Sequence, residues 1–113
     1  MTIDLDKIYK DGKLFGCDII RNLISEDEIQ HFKLDYYREE DDKHYILDYN
    51  FDWKYESFIL SYTKFENGIP YKARTQINFH MLFSVKPGIE QMVFEHAAES
   101  LIREVEKLIK NNG

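Results

Sequence analysis

The chain has 113 residues, 43% hydrophobic and 15% aromatic, with 21 acidic against 15 basic side chains, a net charge of -6 and one cysteine. That length supports one core and no second domain, so residues 1–113 are read as a single domain, and a lone cysteine excludes an internal disulfide framework. A cytoplasmic protein is expected: single-cysteine usage fits a reducing compartment, Asp4, Asp6 and Asp11 interrupt any apolar leader, and no run approaches the roughly 20 apolar residues of a membrane span.

In chain order, Asp11-Gly12 reads as a turn and Lys13 to Ile24, with Phe15, Ile19 and Ile20, as a strand. Ser25-Glu26-Asp27-Glu28 has the form of a capping box, and Ile29, Phe32 and Tyr36 follow at helical spacing. Phe32, Leu34 and Tyr36 equally alternate as a strand would, so the expectation is a helical turn from Glu26 leading into irregular or strand structure. From His44 to Glu56, Tyr45, Leu47, Tyr49, Phe51, Trp53 and Tyr55 alternate with a largely polar set, which predicts a strand with one wet face. Phe58 to Phe65 is a second strand, ended by Asn67-Gly68 ahead of Pro70, and Ala73 to Val85 is a third.

Ile89, Met92, Val93, His96, Ala97, Ser100, Leu101, Val105, Leu108 and Ile109 recur at three- and four-residue spacing and predict one face of a helix from Pro87 to Asn111. Glu90 and Glu95 near its start and Lys107 and Lys110 near its end suit the helix dipole. The predicted fold class is α+β: an antiparallel sheet of three to five strands with this long C-terminal helix packed on one face. Tyr49, Phe51, Ile77, Phe79, Met81, Val93, Leu101 and Val105 are the expected core.

Few residues are arranged for chemistry. His31, His44, His80 and His96 have no metal-ligand spacing, and His44 and Asp48, on one strand face, would stand about 13 Å apart. His96, on the expected apolar face, reads as a core histidine and His80 as a surface one. Cys17 follows Gly16 without a glycine-rich elbow and reads as a small buried hydrophobe. With no phosphate-binding or catalytic signature either, neither enzymatic activity nor a cofactor or metal is expected.

The charge is the functional clue. Between Glu26 and Glu56 there are 11 acids against 4 bases, net -7, so this one segment carries the whole excess. A field of that sign repels phosphate backbones and anionic lipid and attracts a basic protein surface. Tyrosine beside carboxylate is a good interface composition, with rings as anchors and acids for steering. The expected partner-binding residues are Asp35, Tyr36, Tyr37, Glu39, Glu40, Asp41, Asp42, Asp48 and Asp52.

The block from Ala73 to Val85 and the helical segment Val93-Phe-Glu-His-Ala-Ala-Glu-Ser-Leu-Ile-Arg-Glu-Val105 together resemble the end of the SecB-like export chaperones, in a phenylalanine-rich last strand followed by a long helix with an aromatic near its start. The resemblance implies a four-stranded antiparallel sheet, a homo-oligomer and binding of unfolded polypeptide in apolar grooves. The charge instead implies a non-catalytic acidic module of inhibitor or immunity type, of the sort phages or plasmids encode. Such a module would cover a basic, nucleic-acid-binding surface of a partner protein without itself touching nucleic acid or membrane. The charge-based reading is the leading one and the chaperone reading its alternative.

Overall fold

Alternation of inward apolar and outward side chains makes a strand amphipathic, and four segments of this chain carry it, with local breaks such as Phe58-Ile59-Leu60, over about ten residues each. The computed structural model describes residues 11–24, 29–52, 54–78 and 89–112, with the side chains at 21–24, 29–30, 89–90 and 112 outside the description. The strands are β1 (Lys13–Leu14), β2 (Cys17–Ile24), β3 (Ile29–Arg38), β4 (Lys43–Asp52), β5 (Ser57–Glu66) and β6 (Ile69–Asn78), followed by helix α1 (Ile89–Asn112). They form a single antiparallel meander in sequence order, β1 to β6.

One sheet face is apolar and covered. Phe32, Leu34 and Tyr36 of β3, Leu47, Tyr49 and Phe51 of β4, Phe58, Leu60 and Tyr62 of β5 and Ala73 of β6 are buried with Phe94, Ala98, Leu101, Ile102 and Val105 of α1. Full burial of each larger side chain is worth roughly 1.5–3 kcal/mol, so this layer is the main stabilising term. The opposite face carries His31, Lys33, Asp35, Asp48, Asn50 and Lys72.

Both short hairpins use two-residue turns with positive φ. Asn67 and Gly68 (φ 54° and 80°) close β5 on β6, as the sequence signals. Phe15 and Gly16 (φ 53° and 80°) close β1 on β2, and here a bulky residue occupies a conformation it rarely adopts. The compensation is visible: the Phe15 ring stacks on Phe94 at 5.2 Å and lies 5.8 Å from Phe58 and 6.3 Å from Tyr49. The turn plugs the gap between the sheet and the start of α1.

Several expectations are corrected. Among the described residues the sheet has six strands, not three to five, because Lys13 to Ile24 is broken at Phe15-Gly16 into two strands and residues 29–38 form a full strand. The helical spacing of Ile29, Phe32 and Tyr36 loses to burial between two neighbouring strands, where only alternation puts Phe32, Leu34 and Tyr36 on the covered face. The capping-box residues 25–28 lie outside the described residues, as do Trp53, Phe79, His80 and Met81 of the expected strands and core. The third strand begins earlier than Ala73 and includes Pro70, which the edge position of β6 tolerates.

The helix is rotated relative to the expected face. Phe94, Ala98, Leu101, Ile102 and Val105 are inward, whereas Val93 and Leu108 are at the surface, Met92 is 65% exposed, and His96 is exposed rather than a core histidine. Phe94 decides this, since stacking on Phe15 and meeting Tyr36 edge-on buries more apolar area than Val93 could. Of the expected core, Tyr49, Phe51, Leu101 and Val105 are buried and Ile77 is partly so. Tyr55 falls in the β4–β5 turn and is exposed.

Candidate functional site

The meander brings the β3–β4 turn, the β5–β6 turn and the start of β2 to the same end of the sheet. That end is forked. Pairing of β3 with β4 continues to Arg38↔Lys43 and pairing of β5 with β6 to Glu66↔Ile69, but pairing of β4 with β5 stops at Leu47↔Tyr62. Two hairpin prongs therefore project side by side, one around the acidic turn 39–42 and one around Asn67-Gly68.

The acidic prong is built on Arg38, whose side chain is on the helix-facing side and buried. Its Nη2 donates to Asp41 Oδ2 at 2.5 Å, Tyr45 Oη at 2.8 Å and Glu106 Oε1 at 3.2 Å, and its Nη1 is 3.7 Å from Glu99 Oε2. The guanidinium also lies 4.8 Å from the centroid of the Tyr45 ring. Tyr45 donates its hydroxyl to Asp41, and Tyr36 donates to Glu99 Oε1 at 2.7 Å. The hydrogen bond from Arg38 and then that from Tyr45 hold the Asp41 carboxyl well below the usual carboxylate range. Burial, then the bond to Asp41, pushes the Tyr45 phenol up to about 12. The base of this prong is a network of hydrogen bonds and ion pairs that ties β3 and β4 to α1.

Above it stand the exposed acids. Glu39, Glu40 and Asp42 are exposed; Glu40 lies 3.7 Å from the exposed Arg103, and Asp42 (φ 54°) accepts the Tyr37 hydroxyl at 2.5 Å. Tyr37 is about half exposed, its ring 5.0 Å from that of His44. Asp35 faces the open side of the sheet with His44 Nδ1 at 2.8 Å. Asp48, on the same side, is held by Lys33 Nζ at 2.7 Å with His31 Nε2 at 3.5 Å, and Asp52 accepts the Lys54 backbone N–H at 3.0 Å.

The nine expected partner-binding residues thus fall into three groups. Tyr37, Glu39, Glu40 and Asp42 gather at the prong tip, with Asp35 at its base on the open face. Asp48 and Asp52 lie farther down β4, each engaged locally. Tyr36 and Asp41 are turned into the helix-side network, away from the other members of the expected set. The reason is the strand period of two: a contiguous run of sequence cannot all face one way.

Sequence reasoning missed the other prong. Phe65 is 67% exposed and Ile69 54% exposed, flanked by the exposed Lys64, Pro70 and Lys72. Asn67-Gly68 marked the turn, but nothing in the sequence marks where β4 and β5 part.

A cleft of about 230 Å³ lies beside the acidic prong, lined by Phe15, Cys17, Asp18, Asp35, Tyr37 and Glu95 among others. Burial, and then the charge of Glu95, pushes the Cys17 thiol up to about 11, so it is a neutral, weakly nucleophilic wall. Among the described residues no group of three or more His, Cys, Asp and Glu side chains could hold a metal ion. No helix among them is long and apolar enough to cross a membrane.

Comparison with known proteins gives no assignment: no family model, no curated protein and no solved structure matches the chain.

Proposed function

We propose that the chain is a non-catalytic protein-binding module of inhibitor or immunity type, whose acidic prong covers a basic surface on a partner protein. The observation that carries this is the exposed trio Glu39, Glu40 and Asp42 standing on a turn locked from beneath by Arg38, Asp41 and Tyr45. A turn held from beneath loses little backbone freedom on binding and presents its negative charges side by side, as a phosphate backbone does. A nucleic-acid-binding groove is accordingly the surface it fits best. Tyr37 supplies an aromatic anchor beside the charges, in the arrangement that interface hot spots favour.

The test is capture from lysate on the immobilised chain at low and high salt, with a Glu39→Gln/Glu40→Gln/Asp42→Asn variant alongside. A basic protein retained at low salt, released at high salt and not retained by the variant supports the reading; retention by both baits equally removes it.

The alternative is a SecB-like holdase, for which Ile20, Tyr37 and Ile46, each substantially exposed, would offer apolar purchase for an unfolded chain. Suppression of aggregation of an unrelated denatured protein would favour it over the acidic-module reading.

A further inference from the structure

The two prongs at the forked end differ in character. The β3–β4 prong carries the exposed Glu39, Glu40 and Asp42 beside one exposed base, Lys43, while the β5–β6 prong carries Lys64 and Lys72 against one acid, Glu66, around two exposed apolar side chains, Phe65 and Ile69. Cross-strand pairing sets Phe65 opposite Pro70 and Ile69 opposite Glu66, so the ribbon presents an apolar residue on each of its two faces. A solvated turn has no need of that; a ribbon that is covered does. Its lysines call for an acidic cover, and the chain itself displays one at the neighbouring prong.

We infer that the cover is a second copy of this chain, in an isologous dimer that joins the forked ends. The prongs are adjacent hairpins of one sheet, offset by at least two strand spacings, about 10 Å. A two-fold axis normal to the sheet and passing between them sets the acidic prong of each copy against the basic, apolar prong of the other. Two identical charge-complementary contacts form at once and the arrangement closes, as a two-fold interface must. Tip then meets tip along the strand direction, with Phe65 and Ile69 flanking the junction and Lys64 and Lys72, set behind them, on the side of the partner's Glu39, Glu40 and Asp42. The opposite register, like prong on like, would bring two acidic turns together and is disfavoured by repulsion. The contact is small and charge-driven, so the dimer is weak and salt-sensitive.

The dimer uses the same acidic tip as the proposed partner site and rests on that surface, though not on the partner. In the absence of a partner the tips are occupied by each other.

The experiment is light scattering of the purified chain over a concentration series at low and high salt, with two charge-reversed variants. Wild type is expected to approach twice the monomer mass at low salt and to fall back at high salt. Lys64→Glu/Lys72→Glu has two acidic prongs and Glu39→Lys/Glu40→Lys two basic-leaning ones, so each alone stays monomeric. Mixing them restores complementarity at both contacts, and the mixture is expected to recover the doubled mass, which only two folded variants can do. A wild type that remains monomeric throughout, or a dimer that neither reversal weakens, overturns the inference. The Lys64→Glu/Lys72→Glu monomer keeps its acidic tip and serves as bait for a basic partner, so failure of the dimer and failure of the partner reading are told apart.

Discussion

The Tyr36 hydroxyl donates to Glu99 Oε1 at 2.7 Å, joining the end of β3 to the middle of the helix, and Arg38 two residues along β3 reaches Glu99 and Glu106 on the same helix. Residues of one strand face thereby hold α1 by polar contacts at the end of the sheet where the apolar core thins out. The same network fixes the turn above it, so stability and the proposed recognition surface share one base.

Replacing Arg38 tests that base. Arg38→Met leaves Asp41 and Glu99 together without their buried cation, and the loss of one partner from such a group costs about 3–5 kcal/mol. Glu106→Gln, at a half-exposed partner, should cost less than about 1 kcal/mol. Urea denaturation followed by circular dichroism measures both; equal, small effects would mean that the network is ornamental.

The helix face is tested by a pair of substitutions. Leu101→Ala should cost about 2–5 kcal/mol because the side chain is 2% exposed, while Val93→Ala, at the surface, should stay within about 1 kcal/mol. The reverse order would return the helix to the face that spacing alone suggests.

That rotation shows where the sequence was legible and where it was not. Alternation placed Tyr45, Leu47, Tyr49 and Phe51 on the covered face correctly, and Asn67-Gly68 marked its hairpin, because both signals are local. Around Val93 and Phe94 two apolar stripes of similar quality overlap, and the choice is made by Phe15, nearly eighty residues earlier. Residues 29–38 carry both periods at once, and only the flanking strands β2 and β4 select the strand. For the candidate site, the charge marked the whole segment from Glu26 to Glu56, and separating Glu39, Glu40 and Asp42 from Asp41 required knowing that Arg38 turns toward the helix.

Phe15 itself offers a stability test with two opposing effects. Phe15→Ala removes a ring packed on Phe94, Phe58 and Tyr49 while keeping the turn conformation, and should cost about 2–3 kcal/mol at this partly buried site. Phe15→Gly also loses the ring but relieves the positive φ, so thermal denaturation should find it no less stable than the alanine variant despite glycine's greater unfolded-state freedom.

Alkaline pH should destabilise the fold in a defined window. Cys17 is raised from 9.0 to about 11 and Tyr45 from 10.0 to about 12, and burial raises Tyr36 and Tyr49 as well. A folded-state value above the unfolded one favours the protonated form, so these contributions are fully present below pH 9 and are lost as pH rises through the folded values. Cys17→Ala should remove the lower part of that loss, from pH 9 to about 11, in urea titrations repeated across pH. In acid the sign is opposite: Asp41 is depressed, so its contribution is present above the ordinary carboxylate range and declines as pH falls through and below it.

The measurement that bears most directly on the acidic tip as a recognition surface is the association rate of a captured basic partner with wild type and with Glu39→Gln/Glu40→Gln/Asp42→Asn, at two ionic strengths. Electrostatic steering predicts a rate for wild type that falls steeply with salt, and for the variant a rate at least about tenfold lower at low salt and nearly salt-independent, with dissociation changed much less. A variant that associates as fast as wild type, with the same salt dependence, would contradict it.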